Sequence, residues 1–112
     1  MILMKIEFFT SQSGRSPVTK FIDGLSLKDQ SVILAVLADI QDHGFDARGV
    51  QFRQLQGKLW EIKIKTLGGG YRFLYVTLDK NLLFILHAFK KKTQKAPPKE
   101  LKIAMKRLKE IL

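Results

Sequence analysis

The chain has 112 residues, 46% of them apolar, which suits a single domain over 1–112 with one core. It contains no cysteine, which excludes a disulfide framework and a thiolate metal site. Its net charge is +10, unevenly placed: residues 1–56 hold six Lys/Arg against six Asp/Glu, whereas residues 57–112 hold fourteen against four. Self-repulsion of this size costs stability, so a polyanionic partner is the natural explanation. An acidic protein would satisfy it as well as a nucleic acid, and a solubilising face is the plainer alternative. The opening Met1-Ile2-Leu3-Met4 runs directly into Lys5 and Glu7, too short for a signal segment. No apolar stretch approaches the ~18 residues of a spanning helix. A soluble, cytoplasmic protein with no membrane partner is expected.

In chain order, Met4 to Phe8 alternates and predicts a strand. Ser16-Pro17 places an N-cap before a proline at the first helical position, and Val18, Phe21, Ile22 and Leu25 give a short amphipathic helix. Ser26 caps a second helix, with Asp29 in its first turn, an apolar stripe of Val32, Ile33, Val36, Leu37 and Ile40, and Gly44 as its stop. Residues 45–56 read as an irregular connection anchored by Phe52 and Leu55. Leu59 to Lys65 is a strand with Trp60, Ile62 and Ile64 on its buried face. Gly68-Gly69-Gly70 supplies a hairpin turn into a strand from Tyr71 to Leu78, and Leu82 to Phe89 is apolar enough for a strand buried on both faces. Pro97-Pro98 starts a last helix striped with Leu101, Ala104, Met105, Leu108 and Ile111. The order β-α-α-β-β-β-α predicts an α+β domain: a mostly antiparallel four-stranded sheet with its helices on one face. The polar members of each strand then point to a partly open second face.

On that face Glu61, Lys63 and Lys65 stand together, because residues two apart share a side of a strand. The hairpin keeps Arg72 close to them across the ladder. His87 lies near the end of the last strand, just before Lys90-Lys91-Lys92. A Glu, a His, an Arg and several Lys converging on one hollow suit RNA cleavage by the RNA's own 2′-hydroxyl. That reaction needs a base for the hydroxyl, cations for the phosphorane and an acid for the departing 5′-oxygen. Singly, each residue has a duller reading. Lys63 and Lys65 are ordinary solvated strand positions, Arg72 a partner for Glu61, His87 a core histidine, and Lys90–Lys92 a charged linker. Their convergence is the argument. No His pair at ligand spacing, P-loop or dinucleotide fingerprint is present, so no metal or cofactor is expected.

Three segments resemble a known family: Leu59-Trp60-Glu61-Ile62-Lys63, Tyr71-Arg72-Phe73-Leu74-Tyr75, and His87-Ala88-Phe89-Lys90-Lys91-Lys92-Thr93-Gln94-Lys95-Ala96-Pro97. They look like the phage-derived HigB-like branch of the RelE toxin superfamily, and the similarity spans nearly the whole chain. The resemblance implies the toxin of a type II toxin–antitoxin pair, a metal-independent endoribonuclease (mRNA interferase) that cuts mRNA on the ribosome and leaves a cyclic phosphate. Its implied partners are a cognate antitoxin, a small helix-turn-helix protein through which alone it would meet DNA, together with mRNA and the ribosome. By position Arg72 matches the arginine that steadies the scissile phosphate, Lys63 and Lys65 match the strand basic residues, Lys91 falls near a second catalytic basic position, and His87 matches the histidine of the motif. Arg72, Lys63, His87 and Lys91 are the implied catalytic residues. Lys65, Lys90, Lys92 and Lys95 would bind RNA. The C-terminal tyrosine or histidine of several relatives has no counterpart here, where Pro97-Pro98 and an apolar-striped helix stand. A non-catalytic RNA- or antitoxin-binding module is the first rival, and a DNA-binding accessory protein a weaker one, since the cations lie on strands.

Overall fold

The computed structural model describes residues 2–92 and 95–112; Met1, Thr93 and Gln94, the last two inside the lysine-rich motif, lie outside them. Five strands, β1 (Lys5–Phe8), β2 (Gln51–Gln56), β3 (Leu59–Thr66), β4 (Gly69–Asp79) and β5 (Leu82–Lys90), form one sheet in the order β1-β5-β4-β3-β2. Only β1 and β5 are parallel; the other three pairings are antiparallel. The helices are α1 (Pro17–Asp23), α2 (Leu27–His43) and α3 (Pro98–Ile111).

Two expectations need correction. The sheet has five strands, because residues 51–56 pair with β3 instead of forming an irregular connection. Here alternation fails as a signal. Phe52 packs on the α1/α2 side and Leu55 on the α3 side, and the register slips between Gln54 and Gln56 at a β-bulge. Second, the helices do not share one face. α1 and α2 cover Ile62, Ile64, Phe73, Tyr75, Leu83 and Ile85 with Val18, Ile22, Ile33, Leu37 and Ile40. On the reverse side α3 lays Ala104 and Leu108 over Leu74, Val76, Leu86 and Phe89. The physical reason is that β4 and β5 are apolar on both sides. Leaving one side open would expose several large side chains, each worth about 1.5–3 kcal/mol when buried. Trp60 is a smaller correction. At 36% exposed it lies outside the core, in a shallow apolar depression with Phe45, Phe52, Tyr75 and Thr77.

The caps follow the sequence signals in part. Ser26 Oγ accepts the Asp29 N–H at 3.2 Å, whereas the Ser16 hydroxyl turns to Thr19 Oγ1 at 2.8 Å. Asp29 does more than complement a helix dipole. Its buried carboxylate accepts the Tyr71 hydroxyl at 2.6 Å, and Thr66 and Gly68 also bond it, which together hold its pKa below the ordinary value against the opposing effect of burial. This ties the tip of the β3–β4 hairpin to the start of α2. A Cβ on Gly68 would overlap that carboxylate, so glycine is needed there for space. At Gly69, with φ 145°, it is needed for conformation as well.

Candidate nucleic-acid interface

On the α3 side of the sheet, β3 and β4 set Lys63 directly opposite Arg72, while β2 sets Arg53 opposite Glu61 and Gln51 opposite Lys63. The registers therefore bring together the strand residues that alternation placed on one side. The Glu61 carboxylate is fully buried and ringed by cations: Arg53 Nη2 at 2.9 Å, Arg72 Nε at 3.7 Å and Lys63 Nζ at 3.8 Å. One carboxylate among three cations leaves positive charge in excess, the electrostatic setting of an anion site.

From this cluster a cleft of about 780 Å³ opens along the β3–β4 hairpin, bordered by Gln51, Lys63, Lys65, Gly70 and Lys91. The main chain brings Lys91 there, since its N–H bonds Gly70 O at 2.7 Å. Burial pushes the Lys63 ammonium below the ordinary lysine pKa. Arg53, Lys91 and Arg72 push the same way, while Glu61 pulls against them. The cleft therefore holds a lysine that gives up its proton more readily than a solvated one, beside cations able to bind phosphate oxygens. Among the described residues, no group of three or more His, Cys, Asp or Glu is placed to hold a metal ion.

The remaining expected site residues are distributed differently. Arg72 was expected on an open hollow but has no exposed surface, and its guanidinium faces the Glu61 carboxylate. His87 shares that sheet side, paired with Leu74, yet lies under α3. Its Nε2–H donates to Glu100 at 2.9 Å, its Nδ1 accepts from Arg107 at 3.2 Å, and its ring stacks on Phe89 at 5.7 Å between centroids. The open groove expected around His87 is filled by α3. Lys65 lies on the cleft border, the Lys90 side chain passes close over Gly69, and Lys92 and Lys95 are exposed beyond β5. Arg53 is the site residue that sequence reasoning missed. The only available signal was its place one residue after Phe52, which becomes informative once β2 is known to be a strand.

The His87 arrangement has a measurable consequence. Burial lowers its pKa, against the raising effect of Glu100. The unfolded chain, with an ordinary value near ~6.5, therefore takes up a proton that the folded chain resists. The contribution of His87 is fully present above ~6.5 and is lost as pH falls through that value toward the lower folded one. Protonation also removes the Nδ1 acceptor used by Arg107. Urea midpoints should fall between pH 7 and pH 5, and His87→Gln should flatten that fall. An equal fall in both proteins would rule out His87 as its source.

The described residues form a small basic α+β domain with a cleft bordered by Lys63, Lys65 and Lys91, and none of its described helices is long and apolar enough to cross a membrane. Residues 20–109 match the family of phage-derived Gp49-like proteins (DUF891), and the chain belongs to that family. This family lies within the RelE/HigB-like toxin superfamily, and membership is consistent with a toxin of a toxin–antitoxin system. No curated protein matches the chain.

Proposed function

We propose that the chain is the toxin of a HigB-like type II pair and cuts mRNA, in the cytoplasm and on the ribosome, by attack of the RNA's own 2′-hydroxyl. The observation that carries this reading is the cation excess around Glu61, of which Lys63 borders the cleft and has its pKa lowered, chiefly by burial. Neutral Lys63 takes the 2′-hydroxyl proton and the oxygen forms a bond to phosphorus. The phosphorus–O5′ bond breaks, and the departing oxygen takes a proton from the Lys91 ammonium, leaving a 2′,3′-cyclic phosphate and a 5′-hydroxyl. Arg53 stabilises the charge that develops on the non-bridging oxygens, and Lys65 and Lys90 hold flanking phosphates. Arg72 acts as a positioning residue through Glu61, and His87 positions α3 instead of touching RNA. The cognate antitoxin, a small helix-turn-helix protein in this reading, covers the cationic side.

The test is induction in cells followed by mapping of mRNA 5′ ends. The parent should arrest growth and create new ends inside reading frames, and Lys63→Ala with Lys91→Ala should abolish both. Unchanged ends in the double variant would remove this cleft as the active centre. The burial of Arg72 and His87 favours one second reading, a non-catalytic RNA-binding module of the same fold. That reading predicts salt-sensitive RNA affinity without new ends even when translating ribosomes are present.

A further inference from the structure

α3 presents a second, separate array of cations. Lys99, Lys102, Lys106 and Lys109 recur at spacings of three and four residues, and all four are exposed, whereas the apolar stripe of the helix faces the sheet. At 1.5 Å per residue this gives a line of ammonium groups about 15 Å long. Of the two acids on the helix, Glu100 is turned inward to His87, which leaves Glu110 as the acid beside the line. Lys106 also borders a groove of about 960 Å³ between α3 and the β1–α1 loop, which brings in Arg15, Lys20, Arg107, Ser11 and Ser13. Arg107 is held in the groove by Leu86 O at 2.9 Å and by the Phe9 ring, 5.4 Å from its centroid. Among the described residues, Arg15, Lys20 and Lys106 take part in no ion pair. Four cations against one carboxylate suit phosphate oxygens, which accept from such donors. None of the residues separating the lysines along the line is an exposed apolar side chain of the kind a protein partner would bury.

We infer that the groove between α3 and the β1–α1 loop, extended by the lysine line of α3, is a second binding site for the sugar–phosphate backbone of RNA. It is distinct from the hairpin cleft and has no part in cleavage. The inference rests on the RNA-binding part of the proposed function and is independent of whether the cleft cuts. Contacts of this kind fix RNA in place through counterion release and read no sequence.

The experiment measures binding of a uniform single-stranded oligouridylate by fluorescence anisotropy over a range of salt, with no cleavage readout. Each cation–phosphate contact to single-stranded RNA contributes about 0.7 to the slope of log affinity against log salt. Arg15→Gln, Lys20→Gln and Lys106→Gln together should therefore reduce the slope by about 2, with the melting temperature unchanged because all three side chains are exposed. Lys20→Arg with Lys106→Arg should keep the parent slope. The cleft variant Lys63→Ala with Lys91→Ala, measured alongside, reports on the other site. A parent slope in the triple variant together with a reduced slope in the cleft variant would overturn the second site and leave the proposed function standing. Parent slopes in both would overturn the two together. A triple variant that loses affinity for polyglutamate but not for RNA would overturn the site in favour of an acidic protein.

Discussion

Removing the Glu61 carboxylate is expected to be the most destabilising single change at the site, costing about 3–5 kcal/mol in Glu61→Ala. The carboxylate is fully buried and lies within 4 Å of Arg53, Lys63 and Arg72, of which Arg72 is as buried as Glu61 itself. Taking the negative charge away leaves the buried Arg72 guanidinium without the Glu61 charge beside it, and Arg72 cannot reach water without disturbing β3–β4 pairing. For a domain of this size the loss corresponds to a fall in melting temperature of roughly 10–20 °C. Thermal denaturation followed by circular dichroism measures it. A loss below ~1 kcal/mol would show that the ring of cations relaxes into solvent and that Glu61 is dispensable. Glu61→Gln tests the anion-site reading on the same apparatus. With the carboxylate neutralised in place, sulfate should raise the melting temperature more than in the parent, beyond what chloride does at matched ionic strength.

The second large effect concerns the reaction itself. If Lys63 is the base, its neutral form is the active one, and the neutral fraction grows about tenfold per pH unit below the pKa. Because burial and neighbouring cations hold that pKa below the ordinary lysine value, the single-turnover rate on ribosome-bound mRNA should climb with pH and level off before a solvated lysine would. Lys63→Ala should lower the rate by about 10²–10⁴-fold, the usual contribution of a positioned base. Lys63→Arg keeps the charge but holds its proton across the whole range. It should be as slow as Lys63→Ala and show no rising limb. Parent activity in Lys63→Arg would reduce Lys63 to a phosphate-holding cation and move the base elsewhere.

The helical stripes of α2 and α3, a hairpin turn at the glycine run, and the strand order along the chain from β3 to β5 were legible in the sequence, because each depends on neighbours a few residues apart. The turn itself falls at Leu67-Gly68, one step before the expected Gly68-Gly69-Gly70. The same local rule placed Lys63 and Arg72 on one side of the sheet, and the register bears that out. What escaped was set by groups distant in the chain. β2 was hidden because its two apolar residues, Phe52 and Leu55, stand three apart and face opposite sides, and with it went Arg53, whose ion pair with Glu61 exists only through β2–β3 pairing. The continuous apolar runs of β4 and β5 already called for cover on both sides, a signal that a count of helices does not reveal.

By itself the sequence determined that the protein is a basic α+β domain whose excess charge lies in its second half, and which strand residues share a side; period and composition are local quantities and survive without a fold. The tertiary structure alone decided accessibility. Docking α3 across β4 and β5 took His87 out of reach, the packing around Glu61 took Arg72, and the same close packing left Lys63 between burial and neighbouring cations, which lower its pKa. Solvation is a property of the neighbours that a side chain acquires on folding, and no spacing along the chain encodes it.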